Sequence, residues 1–358
     1  MDNQFSILNS QLPTAPRSAL VAMSGGVDST VAAVLMLHDG FDCAGATMKL
    51  HHRCAEGVAE ARAAARLLGI PLHVFDFTDY FSGQVIDRFV QAYLEGRTPN
   101  PCIECNRRVK FGRLLDKALE LGKDCIVTGH YARTERGSDG RFLLKKAADA
   151  SKDQSYVLYS LTQDQLARAR FPLGGLSKQQ VRGLASDAGF TNADKSESQD
   201  ICFVPDGDYA NLIALRSGAR PRKGRFVDEN GSYLGDHDGI FHYTIGQRRG
   251  MGLAMPYPAY VLSLRPRDDT VVVGRNEMLY STSFMINDIN LIAVDKLNSP
   301  VRARVKIRYK HSGQPATVDQ VDDDSIRVVF DEPQRAITKG QAAVIYDGDI
   351  VVGGGTIA

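Results

Sequence analysis

The chain has 358 residues, 43% of them hydrophobic and 24% charged, which is typical of a globular protein long enough for two or three domains. This composition excludes the disordered, collagen-like and disulfide-dense classes. The 43 basic and 42 acidic residues argue against a surface that is basic all over, but they are compatible with a basic face balanced by acidic residues elsewhere.

The N-terminal half alternates short apolar strands with amphipathic helices from residue 17 to about residue 190. The predicted strands are 19–23, 43–48, 72–77 and 125–128, and the predicted helices start near residues 28, 55, 80 and 109. Strands that alternate with helices of this length predict βαβ units and a mostly parallel sheet. We therefore expect the α/β class, with one catalytic domain over residues 1–206.

The pattern changes after about Pro205, where glycines, prolines and aromatic residues cluster. Alternating runs predict strands at 260–265, 270–274, 301–310, 316–321, 325–330 and 341–355, the last of them a hairpin through Asp347 and Gly348. Their spacing predicts a small barrel or sandwich. We expect a C-terminal all-β, barrel-like domain over residues 275–358. Residues 207–274 are predicted to form a small central domain, with an extension of either neighbour as the alternative.

The predicted location is the cytoplasm. No run of about 18 or more apolar residues occurs, so no membrane span is predicted. Residues 1–15 lack the basic start and long apolar middle of a secretory signal and are predicted to form a polar arm. Six cysteines are too few for a disulfide scaffold, and in a reducing compartment each begins as a thiol.

A glycine loop joins the first predicted strand to the first helix in the string ALVAMSGGVDSTVAAVLM. Its glycines let the backbone approach a ligand, and the N–H groups at the helix start form an anion cradle with the hydroxyls of Ser24 and Ser29. A plain turn capped by Ser29 or Asp28 is the structural alternative. The string is neither a Walker A loop nor a dinucleotide fingerprint. It resembles the SGGxDS pyrophosphate loop of ATP-pyrophosphatases, and Asp28 is then a candidate magnesium partner.

Two segments contain candidate reactive cysteines. RTPNPCIECNRRVKF at 97–111 is predicted to form an irregular loop that ends in Cys102 and Cys105, before a helix that starts near Val109. Its arginines and lysine, together with a helix N-terminus, would stabilise a thiolate. Half of a zinc site or two packing thiols are the alternatives, but no second C-x-x-C completes a zinc site.

The second segment is DKSESQDICFV at 194–204, which contains Cys202. A buried strand residue is the alternative interpretation of Cys202. The remaining cysteines, Cys43, Cys54 and Cys125, are predicted to be small buried hydrophobes.

Basic stretches predict a surface for a polyanion. Residues 216–227 and 247–250 are two of them, and acidic residues at 319–324 and 331–332 balance the charge. In the third, at 301–310, five cations alternate with apolar residues and would share one strand face: Arg302, Arg304, Lys306, Arg308 and Lys310. Each stretch alone is compatible with a solvated face, but together they fit a surface that follows phosphates.

With these segments in view, the chain resembles the bacterial tRNA-specific 2-thiouridylases along nearly its whole length. The strings that carry the resemblance are AMSGGVDS (22–29), TMK (47–49), TPNPCIECNRRVKF (98–111), TGHYAR (128–133), KDQSYVL (152–158), KSESQDICF (195–203), YTIGQRRG (243–250), IRY (307–309) and GQAAV (340–344). The resemblance implies an N-terminal domain of the adenine nucleotide α-hydrolase type. It also implies an ATP-dependent sulfurtransferase that adenylates the C2 oxygen of the wobble uridine, replaces it with sulfur from a cysteine persulfide, and releases AMP and pyrophosphate.

The resemblance further assigns partners and residue roles. The implied partners are the tRNAs for lysine, glutamate and glutamine, and a protein that carries a persulfide. Cys105 matches the nucleophile and Cys202 the cysteine that carries the persulfide, so the pair would finish the reaction as a disulfide. The implied nucleotide site is Ala22, Met23, Ser24, Gly25, Gly26, Val27, Asp28, Ser29, Met48 and Gly129. The implied tRNA contacts are Asn100, Pro101, Cys102, His130, Lys152, Asp153, Gln154, Arg308, Tyr309 and Gln341.

Cys102 departs from the family pattern, because many members have an aspartate there that is a candidate general acid or base. We favour the hypothesis that Cys102 is a spectator or replaces that base. The alternative is that it joins Cys105 and Cys202 as a ligand of an iron–sulfur cluster. Lys49 is a candidate cation for the leaving pyrophosphate.

Two rival functions remain at this point: a small-molecule ATP-pyrophosphatase and a non-catalytic RNA-binding protein. ATP- and sulfur-dependent formation of 2-thiouridine would separate all three.

Overall fold

The computed structural model describes residues 17–51, 54–190, 201–218 and 222–358. The predicted polar arm, the polar segment before Ile201 and part of the basic stretch at 216–227 lie outside the described residues. The chain forms two compact units. Unit 1 comprises Met1–Gln84, Ile103–Ser198 and Asp349–Val351, and unit 2 comprises Val85–Cys102, Gln199–Gly348 and Val352–Ala358. The three domain ranges given above stay a prediction.

The secondary structure follows the predicted order. The strands are β1 (Ser18–Ala22), β2 (Asp42–Lys49), β3 (Leu72–Asp76), β4 (Cys125–Val127), β5 (Ala132–Arg136), β6 (Phe142–Lys146), β7 (Ala169–Arg170), β8 (Gly224–Val227), β9 (Tyr233–His237), β10 (Tyr260–Arg265), β11 (Thr270–Gly274), β12 (Tyr280–Leu291), β13 (Val301–Lys306), β14 (Gln314–Gln320), β15 (Ser325–Arg335), β16 (Ala342–Asp347) and β17 (Ile350–Ile357). The helices are α1 (Val27–His38), α2 (Ala55–Leu68), α3 (Thr78–Phe81), α4 (Asp87–Leu94), α5 (Pro101–Glu104), α6 (Leu114–Glu120), α7 (Gln163–Arg168), α8 (Lys178–Asp187) and α9 (Tyr209–Ser217). π-Helical stretches at Ser82–Ile86 and Cys105–Arg113 join α3 to α4 and α5 to α6, and 3-10 turns lie at Ser155–Leu158, Pro172–Gly175, Ile240–His242 and Asn276–Leu279.

Unit 1 is built on a parallel sheet. Among its described residues, five strands lie in the order β3-β2-β1-β4-β7, and each pairing is parallel. Small residues let α1 and α2 approach this sheet closely, because Ala32, Ala33, Ala61 and Ala65 are buried in one core with residues of β1. The hairpin of β5 and β6 belongs to the same unit and pairs with residues 350 and 351. The predicted α/β class is confirmed.

Unit 2 contains two β assemblies. In the described part of the chain, β8 to β11 form a sheet in the order β10-β11-β8-β9, whose core includes Phe226, Tyr243 and Val261. A barrel runs β12-β15-β14-β13-β16-β17 and closes by antiparallel pairing of β12 with β17. At that seam a Cβ on Gly353 would lie 2.4 Å from the carbonyl oxygen of Asn290, so glycine is required there. The predicted C-terminal barrel is confirmed.

Two predicted element boundaries are wrong. The helix expected near Val109 begins at Pro101, because proline suits the first turn of a helix and Asn100 Oδ1 accepts a hydrogen bond from the Cys102 N–H at 3.1 Å. The strand expected over 301–310 ends at Lys306, and the chain then turns, with the N–H of His311 donating to the Arg308 carbonyl at 3.0 Å. The five cations of 301–310 therefore do not share one strand face.

Across the described ranges, none of the helices combines the length and the apolar character that a bilayer crossing requires.

Candidate active site

The glycine loop lies at the carboxyl end of β1, where the chain turns into α1. Gly25 has a φ of +82°, and a Cβ there would lie 2.5 Å from Glu60 Cβ, so only glycine fits. Ser29 Oγ donates to the Gly26 carbonyl at 2.9 Å and accepts from the Ser24 N–H at 3.2 Å. α1 starts at the N-cap residue Gly26 without a side-chain hydrogen bond to its first N–H groups, and Ser29 holds the turn through Ser24 and Gly26. Such a helix start leaves its N–H groups for an anionic ligand.

The parallel sheet brings the other predicted nucleotide residues to the same edge. β1 pairs with β2 on one side and with β4 on the other. Met48 lies near the carboxyl end of β2, and Gly129 follows β4. A Cβ on Gly129 would lie 2.7 Å from the carbonyl carbon of Asp28, so this glycine packs directly on the loop backbone. Ligands of open parallel sheets bind at this position, outside the carboxyl ends of adjacent strands.

The Asp28 carboxylate is held by two side chains that the sequence did not single out. Lys178 Nζ lies 2.8 Å from Oδ1 and 2.9 Å from Oδ2, and the Tyr131 hydroxyl donates to Oδ1 at 2.8 Å. The Lys178 side chain is only 14% exposed. Lys49, the cation expected from the sequence, is exposed at the end of β2.

Cys105, the predicted nucleophile, is the first residue of the π-helical stretch Cys105–Arg113. Such stretches are rare and concentrate at functional sites. Buried Asn106 donates to the Val157 carbonyl at 3.0 Å, and Gln165 Nε2 donates to the carbonyls of Arg107 and Phe111 at 3.1 and 2.8 Å. These bonds fix the backbone around half-buried Cys105.

The cations expected to support the Cys105 thiolate are held in place. Arg108 pairs with Glu104 at 2.6 Å. Lys110 Nζ lies 3.4 Å from His130 Nε2, and His130 Nδ1 lies 2.8 Å from Thr128 Oγ1. Because an ammonium group only donates, Nε2 is the acceptor, and Nδ1 carries the proton that is donated to Thr128. Burial and then the Lys110 charge hold the pKa of His130 well below 6.5, so the ring is neutral at physiological pH.

The predicted tRNA contacts of unit 1 form a folded turn. Asp153 Oδ1 accepts from the N–H groups of Ala147 and Ser155, both at 3.1 Å. Gln154 pairs with the Tyr131 backbone twice, accepting at Oε1 from its N–H at 3.0 Å and donating its own N–H to the carbonyl at 2.8 Å. Lys152 is half-buried, whereas His130 is only 7% exposed.

Unit 2 brings several other predicted tRNA contacts together. Gln341 Nε2 donates to the Thr98 carbonyl at 2.7 Å, and the Thr98 N–H donates to the Lys339 carbonyl at 2.8 Å. The segment that leads to Asn100, Pro101 and Cys102 is therefore fixed beside Gln341.

Arg308 and Tyr309 lie in the turn after β13. Arg308 donates to the Arg335 carbonyl at 3.3 Å, and Tyr309 is 38% exposed. On β13 itself, both oxygens of Asp331 bind Arg302, at 2.8 and 2.5 Å.

The cysteines differ in exposure. Cys43 and Cys125 are buried as predicted, and burial raises the pKa of the Cys43 thiol to about 11, which suppresses its thiolate. Cys54 is half-buried, so its predicted burial is only partial. Cys102 and Cys202 are exposed. Where the structure describes the chain, no group of three or more His, Cys, Asp or Glu side chains is arranged to hold a metal ion.

Comparisons with known proteins match almost the whole chain. Family models described as a tRNA methyl transferase HUP domain, a tRNA methyl transferase PRC-barrel domain and an aminomethyltransferase beta-barrel domain match residues 17–206, 214–275 and 281–357. The chain is 46% identical over 353 residues to a tRNA-specific 2-thiouridylase of Clostridioides difficile, covering 95% of this chain and 98% of the relative. It is 47% identical over 355 residues to the protein of the same name from Carboxydothermus hydrogenoformans, with coverages of 95% and 97%.

A solved 4-thiouridine synthetase in complex with RNA and bound ATP is also similar, at 20% identity and a TM-score of 0.38. The match covers 56% of this chain and 50% of that one.

Proposed function

The chain belongs to the family of tRNA-specific 2-thiouridylases, and from that premise we propose how its residues divide the reaction. The protein is an ATP-dependent tRNA sulfurtransferase that forms 2-thiouridine. The proposed target is the C2 oxygen of the wobble uridine in the tRNAs for lysine, glutamate and glutamine. A persulfide-carrying donor protein supplies the sulfur, and the cytoplasm is the proposed location.

In the first proposed step the uridine C2 oxygen attacks the α-phosphorus of ATP, and pyrophosphate leaves. The loop from Ala22 to Ser29 binds the leaving group, because its glycines and the uncapped start of α1 present N–H groups to negative charge. Met48 and Gly129 border the nucleotide. The observation that carries this proposal is the meeting of these residues at the carboxyl ends of adjacent parallel strands.

A magnesium ion suits this site in its donor chemistry. Magnesium is commonly held by one or two carboxylates while phosphate oxygens and waters complete its shell. Asp28 supplies one carboxylate at the loop, so Asp28 would hold the metal, and the metal would neutralise charge on the phosphates.

In the second proposed step the terminal sulfur of a Cys202 persulfide attacks C2, and AMP leaves with the former C2 oxygen. The Cys105 thiolate then attacks the inner sulfur of the persulfide, which breaks the S–S bond and leaves the terminal sulfur on C2. Cys105 and Cys202 end as a disulfide, and a thiol reductant restores them. The helix start before Cys105 favours its thiolate form, whereas Arg108 is paired with Glu104.

The deciding experiment gives purified Cys105→Ser and Cys202→Ser proteins ATP, magnesium, tRNA and a persulfide donor. We expect the formation of 2-thiouridine to fall by at least about 100-fold in each, because each variant lacks a required nucleophile. Release of one equivalent of pyrophosphate, dependent on tRNA, should persist, because adenylation uses no cysteine. Cys54→Ser is the control and should retain the wild-type rate.

Thiolation at the normal rate by either variant would refute the cysteine assignment. Pyrophosphate release without tRNA would favour a small-molecule ATP-pyrophosphatase, and tRNA binding without ATP consumption would favour a non-catalytic RNA-binding protein.

Cys102 is proposed to be a spectator or to replace the family's aspartate as a base. Full activity of protein purified without oxygen and without iron would eliminate the cluster on Cys102, Cys105 and Cys202. In that protein, an unchanged thiolation rate for Cys102→Ala identifies a spectator, whereas a loss that Cys102→Asp restores identifies a base.

A further inference from the structure

Lys178 binds the only carboxylate that the pyrophosphate loop, residues 22–29, contributes. Its ammonium group lies within 2.9 Å of both Asp28 oxygens, and the two residues are 150 positions apart in the chain. Lys178 is mostly buried, and a buried ammonium group is costly unless an anion faces it. This pairing is therefore specific to the folded site.

The backbone of Lys178 is anchored away from the loop. Its N–H donates to Asp149 Oδ2 at 3.1 Å, while Asp149 Oδ1 accepts from the N–H and the hydroxyl of Ser151 at 3.0 and 2.6 Å. Ser177 caps the helix that Lys178 begins, in a reciprocal pair with Gln180. Only the flexible side chain of Lys178 is then able to change partner.

A magnesium ion and the Lys178 ammonium group are both cations, and both require the Asp28 oxygens. Two cations on one carboxylate repel each other, so metal binding at Asp28 disfavours the ammonium group there and shifts it toward another anion. The displaced cation still requires an anion because it is shielded from water. The phosphates held by the loop supply that anion, and lysine is a common phosphate ligand.

We propose that Lys178 is a positioning residue of the pyrophosphate loop, which competes with magnesium for Asp28 and pairs with the phosphates of ATP when the metal displaces it. The inference rests on the proposed function, since it takes the loop to be the ATP site. Tyr131 also holds the Asp28 carboxylate, because its hydroxyl donates to Oδ1. As a neutral group it competes with the metal only weakly.

Calorimetric titration of the full-length protein with α,β-methylene-ATP tests the proposal, because the bond that the enzyme breaks is replaced in this analogue. We expect Lys178→Met to weaken binding of the metal-free analogue about tenfold or more, because without the Lys178 ammonium group the Asp28 carboxylate is unneutralised and repels the phosphates. The same variant should lower the magnesium concentration needed for half-maximal stimulation of analogue binding about threefold or more, because Asp28 loses its competing cation. General damage to the fold would not produce these two opposite effects.

Lys123→Met is a matched control, because the Lys123 side chain is also 14% exposed and its ammonium group pairs with Asp42 at 2.5 Å. It should change neither quantity. Tyr131→Phe, which removes one hydroxyl, should lower the magnesium midpoint less than Lys178→Met and leave metal-free binding unchanged.

If Lys178→Met leaves both quantities unchanged, or weakens binding equally with and without magnesium, the proposal is refuted. If Lys178→Met does not fold, Lys178→Gln takes its place and is judged by the same two quantities. Failure of the wild-type protein to bind the analogue would refute the ATP site itself, which is a separate result.

Discussion

A single buried side chain, His130, gives the folded protein a predictable response to acid. Burial and Lys110 hold its pKa well below the 6.5 of a free histidine. As pH falls through about 6.5, the ring of the unfolded chain takes up a proton while the ring of the folded chain does not, so the folded state loses stability. Above that pH both rings are neutral and the contribution is constant.

We expect the free energy of unfolding of the wild type to fall more between about pH 7.5 and 5.5 than that of His130→Gln. The difference should reach about 1.4 kcal/mol, the linkage effect of one pH unit below an unperturbed histidine pKa. Urea denaturation at the two pH values measures it. Equal losses in both proteins would show that His130 does not govern this part of the pH profile.

The sequence predicts the contiguous residues of the glycine loop better than the site residues that the fold brings to the loop from distant positions in the chain. The glycine loop is a contiguous string whose backbone requirements are visible in its letters, and Gly25 shows the positive φ that such a string requires. Lys178 and Tyr131 meet Asp28 only because of the fold. Tyr131 lies in the string TGHYAR, whereas the only sequence signal near Lys178 is the capping pattern of Ser177 and Gln180, which marks a helix start.

At the scale of elements, the start of the helix that carries Cys105 was mispredicted because the effect of proline on the preceding residue was applied to the proline itself. A proline disfavours helical geometry in the residue before it, and Asn100 indeed precedes the helix. Pro101 itself fits the first helical turn, so the helix starts eight residues earlier than Val109. The π-helical geometry after it depends on Asn106 and Gln165, whose partners are distant in sequence.

We expect Gln165→Ala to destabilise the protein by about 1–3 kcal/mol more than Gln180→Ala, because it leaves two carbonyls of the π-helical stretch without a side-chain donor. Both glutamines close a capping box, on Thr162 and Ser177 respectively, so Gln180→Ala controls for the loss of the cap. Urea denaturation measures the difference in free energy of unfolding.

The rate of alkylation of Cys105, followed by mass spectrometry, should change in Gln165→Ala and not in Gln180→Ala. Identical behaviour of the two variants in both measurements would contradict a role for Gln165 in fixing the cysteine helix.

At the scale of the whole molecule, the near balance of 43 basic and 42 acidic residues does not show which cations are already paired with a carboxylate. Arg302 is neutralised by both oxygens of Asp331, whereas Arg308 donates to a neutral carbonyl in the turn after β13. A polyanion therefore gains more from Arg308 than from Arg302, although both arginines are exposed.

We expect Arg308→Gln to weaken tRNA binding and to reduce the slope of the logarithm of the binding constant against the logarithm of salt concentration by about 1, the value for one phosphate contact. Arg302→Gln, a matched control six residues earlier on β13, should leave the slope unchanged. Filter binding across a range of salt concentrations measures both. Equal slopes for Arg308→Gln and the wild type would remove Arg308 from the tRNA surface.

The sequence predicted the β-barrel because its strands follow one another and alternate with a period of two. It did not predict that residues 85–102 belong to unit 2, because domain prediction from sequence assumes continuous segments. The physical reason is aromatic packing: Phe89 meets Phe203 edge to face at 5.4 Å, and Tyr93 meets Tyr209 at 5.0 Å.

The late position of β17 along the chain has a consequence for synthesis on the ribosome. β17 closes the barrel against β12, and residues 350 and 351 pair with β6. Until β17 has been translated and has left the exit tunnel, one edge of β12 and one edge of β6 lack this partner. Unpaired strand edges recruit other chains, so this nascent protein is most exposed to misassembly just before its barrel closes.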